Sequence, residues 1–294
     1  MKTKYEDEVR DRVRQAYARA VTSTMSVEAS PCACSPRSER KGSVSKFAGY
    51  DTKELAQMPE EAVVSSFGCG NPVAFSQIGA GQTVVDLGSG AGLDLFLAAQ
   101  KVGPTGHVIG IDMTPEMIER ARANIAAAGL NNVEVRQGII EDMSLESGTV
   151  DWVISNCVIN LSPQKGKVFS EIHRVLRPGG RMLVSDVMVK ELPEWVKSNQ
   201  ALYNSCIGGA ISEEEYLNGL RLAGMSNVEV MARLVYDNSQ MSGLIKSEIP
   251  EVKAVMSCCG QMSSESLAAM ADSIGAELQG KVWSATVYAE KPAR

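Results

Sequence analysis

The chain is poor in several things that would point to common functions. It has two histidines, and aromatics are 5% of its 294 residues. No apolar run approaches the ~18–20 residues that span a bilayer. The N-terminus from Met1 to Glu8 is charged where a secretory leader would be apolar. There is no basic excess: 29 Lys+Arg stand against 35 Asp+Glu, a net charge of −6. Such a chain offers no global field to a phosphate backbone. A soluble, cytosolic protein with neither membrane nor nucleic-acid partners is expected. Seven cysteines, about 2% of the chain, are too few for a disulfide scaffold at ~8–10%. A reducing compartment would keep them as thiols. With only His107 and His173 and no paired Cys-x-x-Cys knuckles, a zinc finger is disfavoured.

What is present is a strand–helix alternation. Residues 4–20 carry Val9, Val13, Ala16, Tyr17 and Ala20 at helical spacing, and 22–46 form a polar Ser- and Pro-rich stretch with Cys32 and Cys34. Strands are expected at 83–87, 107–112, 133–135, 150–155 and 181–187, with helices at about 93–101, after Thr114 as a capping hydroxyl, and at about 164–176. Pro178, Gly179 and Gly180 read as the turn that ends the last of these. This alternation implies an α/β fold, a parallel sheet with helices on both faces. Further helices are expected at 193–205, at 213–223 after Ser212, and near 266–278. A strand at 227–235 and a last strand at 282–288 complete the pattern, the last returning to the sheet, with 238–280 as an insertion. The organisation expected is an N-terminal helix and Cys-containing loop (1–60), a cofactor-binding core (61–190), and helices, remaining strands and a C-terminal extension (191–294).

The turn Gly88-x-Gly90-x-Gly92 follows the first strand, where open α/β sheets bind cofactors. It is one residue short of the dinucleotide spacing G-x-G-x-x-G. Asp86 just before it would repel a pyrophosphate but suits an ammonium group. Asp112 ends the second strand, where an acid accepts ribose hydroxyls. An amine, a ribose and an adenine without pyrophosphate describe S-adenosylmethionine. The segment resembles the first motif of the class I methyltransferases, as do Gly138–Asp142 and Glu171–Gly180. The resemblance implies a Rossmann-like, mostly parallel sheet with Asp86, Gly88, Ser89, Gly90, Asp112, Met113, Ile140, Glu141 and Asn156 at the cofactor.

At the end of the fourth strand stands Cys157, where oxygen and nitrogen methyltransferases place a base or carboxylate. Cys69 and Cys206 also sit among glycines, and three converging thiolates make a soft-ligand site. Phe67–Pro72, Asp86–Asp94, Gly110–Thr114, Ser155–Leu161 and Cys206–Ala210 together resemble the arsenite S-adenosylmethionine methyltransferases over about residues 45–235. That resemblance implies that Cys69, Cys157 and Cys206 bind As(III). It also implies that a cysteine nearer the N-terminus, Cys32 or Cys34, joins a turnover disulfide re-reduced by thioredoxin or glutathione. Methylated arsenicals made for detoxification would be the products. A quinone- or sterol-type carbon or oxygen methyltransferase and a non-catalytic thiol-rich arsenic-binding protein are the alternatives. Cys258 and Cys259 are left out of the site.

Overall fold

In the computed structural model, residues 4–25, 70–194, 196, 207–237, 241 and 272–293 are described. Seven strands build one sheet: β1 (Thr83–Leu87), β2 (His107–Asp112), β3 (Val133–Gln137), β4 (Val150–Asn156), β5 (Leu176–Val189), β6 (Ser226–Val235) and β7 (Val282–Glu290). Six helices are used below: α1 (Lys4–Met25), α2 (Pro72–Phe75), α3 (Leu93–Val102), α4 (Pro115–Ala127), α5 (Lys165–Val175) and α6 (Glu213–Leu222).

Strand β1 is buried at every position after Thr83 because both its faces are covered. Val84 joins a core with Leu95, Phe96 and Ile118, contributed by α3 and α4. Val85 and Leu87 point the other way, to Phe169, Ile172 and Tyr216 of α5 and α6. The strand order is β3-β2-β1-β4-β5-β7-β6. Strands β1 to β5 are mutually parallel, and β7 lies antiparallel between β5 and β6. The last strand thus returns to the sheet, as expected. The order reverses between β1 and β4, and such a switch point opens a crevice beyond the strands' carboxyl ends. A third apolar cluster gathers there, with Val13 of α1, Cys157, Leu161, Val187 and Ile207.

Two local expectations are corrected. Strand β5 starts at Leu176, not 181, and runs through Pro178, Gly179 and Gly180 with a register shift opposite β4. The chain leaving β7 explains it: Gly179 N–H donates to the Lys291 carbonyl, and Lys291 N–H donates to that of Gly180. Thr114 precedes α4, but its hydroxyl does not cap the helix; it bonds Asp112 instead. The helix after Ser212 begins with the full reciprocal cap, Ser212 with Glu215. Cys32, Cys34, Cys69, Cys206, Cys258 and Cys259 lie outside the described residues, as do most of 193–205 and 238–271. Among the described residues, no helix is long and apolar enough to cross a membrane.

Candidate cofactor and methyl-acceptor site

The glycine turn is built by backbone needs. Gly88 has φ +67, and a Cβ there would lie 2.4 Å from the Val158 side chain. Gly88 and Ser89 N–H groups both donate to the Ile111 carbonyl, at 2.7 and 3.1 Å, which folds the turn over the end of β2. The result is a cleft of about 960 Å³, counting the solvent at its mouth. Asp86, Gly88, Ser89, Gly90, Asp112, Met113, Ile140, Glu141, Asn156 and Cys157 all line it, so every described residue expected at the site is brought there.

The acids differ in what holds them. Asp112 accepts Gly90 N–H on Oδ2 at 2.9 Å and Thr114 N–H on Oδ1 at 2.8 Å. Burial raises its pKa, and these bonds, with the Thr114 hydroxyl, pull it back. The Asp86 carboxylate accepts no hydrogen bond among the described residues. Burial, then the nearby Asp94 and Asp112 charges, raise its pKa well above the ordinary value. A buried acid beside two others is stable as a carboxylate when a cation neutralises it. The amino and sulfonium groups of S-adenosylmethionine meet that need, and its ribose hydroxyls suit Asp112. Ser89 Oγ, buried and unpaired among the described residues, lies against Gly110.

Several lining residues had no part in the sequence expectation. Asp94 opens α3, in the first turn where a helix dipole favours an acid, so a signal existed. Arg10, Val13 and Tyr17 bring α1 to the cleft, and no local pattern announces that. Arg10 Nε donates to Glu141 Oε1 at 3.1 Å, and Ser162 Oγ donates to the same oxygen at 2.7 Å. Neither histidine is present: His107 bonds Glu134, and His173 faces Gly224.

At the end of β4 the chain kinks. Cys157 is buried and left-handed, with φ +59, which costs a non-glycine residue about 1–3 kcal/mol. Its N–H donates to the Ser185 carbonyl at 2.8 Å, and its sulfur is in a disulfide. Asn156, just before it, accepts Gly70 N–H at 3.1 Å and donates to the Gly70 carbonyl and to Asp94. Gly70 packs so closely on β5 that a Cβ would lie 2.5 Å from Ser185. Gly70 is the residue after Cys69, and Ile207, fully buried in the cluster with Cys157, is the residue after Cys206. Among the described residues, no group of three His, Cys, Asp or Glu is arranged to hold a metal ion.

Strand order, glycine turn and acid-lined cleft define the class: a methyltransferase of class I architecture. A family model described as a methyltransferase domain matches residues 78–224, half of the chain. The chain is 43% identical over 233 residues to the arsenite methyltransferase of Halobacterium salinarum, covering 76% of this chain and 59% of that protein. It is 34% identical over 215 residues to the arsenite methyltransferase of Mus musculus, covering 70% and 54%. It also matches the crystal structure of an arsenic(III) S-adenosylmethionine methyltransferase from Chlamydomonas reinhardtii. There the TM-score is 0.61 at 30% identity, over 82% of this chain and 72% of that one. The chain belongs to the arsenite S-adenosylmethionine methyltransferase family. It spans a little over half the length of the curated relatives it matches.

Proposed function

We propose that the protein methylates trivalent arsenic, taking arsenite and methylarsenite held by cysteine thiolates and giving methylated arsenicals for detoxification. The observation that carries this reading is the placement of Cys157. It stands left-handed at the end of β4 in the same cleft as Asp86 and Asp112, where no histidine is present. Family membership supports the choice of arsenic.

S-adenosylmethionine, when bound, supplies an electrophilic methyl group on a sulfonium. Asp86, with Asp94 near it, balances positive charge at the cofactor's amino-acid end. Asp112 accepts the ribose hydroxyls, and Met113, Ile140 and Glu141 wall the adenosine beyond it. Asn156 holds Gly70, and so the approach of the chain from Cys69, against β4. Cys69, Cys157 and Cys206 together ligate As(III); the docking of Gly70 beside Asn156 and the burial of Ile207 beside Cys157 support their convergence. Arsenic in such an adduct keeps its lone pair and loses no proton on methylation, so no general base is needed. The protein's part is to hold nucleophile and methyl at near-attack distance. Methylation takes arsenic formally to the pentavalent state. Two thiols, one of them Cys32 or Cys34, return two electrons and become a disulfide that thioredoxin or glutathione reduces. The disulfide at Cys157 makes a thiol reductant necessary before arsenic binds.

The test is product speciation over time with S-adenosylmethionine, As(III) and a thiol reductant. S-adenosylhomocysteine and methylated arsenicals should appear together, with As(III) the only acceptor offered. Cys157→Ser should lose activity on both arsenite and methylarsenite while still binding S-adenosylmethionine. A serine hydroxyl is a hard, protonated and poor ligand for As(III). Near wild-type methylation of arsenite by that variant would remove the thiolate site.

A further inference from the structure

Arg10 is the one cation among the described residues that line the cleft, against the four acids Asp86, Asp94, Asp112 and Glu141. A free guanidinium there would oppose a cationic ligand. It is instead consumed by its own contacts. Nε donates to Glu141, Nη1 to Asp7 at 3.0 Å, and Nη2 to Gln164 Oε1 at 2.9 Å. Gln164 in turn donates to Glu6 of α1 at 2.6 Å. One planar fork thus ties α1 to the segment after β3 and to the start of α5. One turn further along α1, Val13 is buried in one apolar cluster with Cys157 and Leu161, and Tyr17 packs on the same cluster. Val9, Val13 and Val21 share one buried stripe.

Resting on the cofactor reading above, we propose that Arg10 latches α1 across the cofactor cleft, so that α1 is part of the cofactor site and sets how fast the ligand leaves. Arg10 is a positioning residue: it reaches the cofactor wall through Glu141. The Arg10–Glu141 pair is nearly buried, with side chains 10% and 5% exposed. Removing one partner strands the other charge, while removing both does not.

The test is the release rate of S-adenosylhomocysteine from the full chain, read by displacement, beside thermal melting without ligand. Arg10→Met should release it at least tenfold faster. Arg10→Lys should fall between, because an ammonium cannot make all three contacts of the fork. Glu141→Gln should also speed release, and the double variant should be no faster than the faster single one. Arg14→Ala, one turn beyond Arg10, paired with Asp11 and absent from the cleft lining, should match the wild type. A purely structural role would lower the melting temperature and leave release unchanged, and that result in Arg10→Met or Arg10→Lys overturns the latch. So does a double variant whose effect is the product of the two single effects. Failure of the wild type to bind S-adenosylhomocysteine would instead remove the cofactor reading itself.

Discussion

Asp86 and Asp112 share one cleft and nearly the same burial, and their partners separate their roles. Asp112 is fixed by hydrogen bonds from the glycine turn and from Thr114, whereas Asp86, with none among the described residues, faces two further acids. Asp112→Ala should weaken S-adenosylmethionine binding by about 2–3 kcal/mol, since charge-assisted hydrogen bonds are lost. As(III) binding, measured separately, should barely change. Unaltered cofactor affinity in calorimetry would mean that the ribose is held elsewhere. Both acids were legible in the sequence because their meaning is local: each is a carboxylate at a strand end beside a glycine turn. Arg10 was not legible. Its partners Glu141 and Gln164 lie 131 and 154 residues away, and nothing in the helical pattern of 4–20 tells a surface arginine from a buried one.

The elements divide along the same line between local and distant causes. The alternation of strands and helices follows from periodicity and punctuation, while the Rossmann-like order of the sheet was legible only through the resemblance. The start of β5 follows from neither, since proline and two glycines signal a turn until the chain beyond β7 pairs with them. The glycine turn allows a sharper test of what each residue contributes. Gly88 and Gly90 both have positive φ, +67 and +51, so alanine at either costs about 1–2 kcal/mol in backbone strain. At Gly90 nothing lies within 4 Å of the added Cβ, whereas at Gly88 it would meet Val158. Gly88→Ala should therefore destabilise the fold more than Gly90→Ala. It should also displace Val158, next to Cys157, and so disturb the acceptor end. Thermal melts of the two variants, compared with arsenite turnover, check this; equal losses would mean that Val158 moves aside freely.

Across the whole molecule, the carboxyl edge of the sheet concentrates buried polar groups that only the fold makes tolerable. Asp186, near the end of β5, is fully buried. Its oxygens accept Asn160 Nδ2 at 2.8 Å, the backbone N–H of Val187 and Asn160, and the Tyr216 hydroxyl. This staples the turn after Cys157 to β5 and α6, and Lys165 reinforces it through the Asn160 and Ser162 carbonyls. Burial outweighs those bonds and raises the Asp186 pKa from 3.8 to about 7. Between those values the unfolded chain has released a proton that the native state retains. Rising pH therefore favours unfolding by ~1.4 kcal/mol per unit from this group, until pH passes the native value. Glu134 and Glu213, held low by Arg136 and Arg233, act oppositely, but their contribution is complete about one pH unit above the ordinary glutamate value of 4.5. From about pH 5.5 to about pH 7 Asp186 and Asp86 lower stability as pH rises, while His173, its pKa lowered by burial and then by Lys291, opposes them below its ordinary value of 6.5. Asp186→Asn leaves a buried donor without its acceptor, which costs about 1–3 kcal/mol at every pH. Denaturant unfolding across that range should therefore show the variant less stable throughout and with a shallower slope. A variant slope as steep as the wild type's would place the titration elsewhere and leave Asp186 charged at neutral pH.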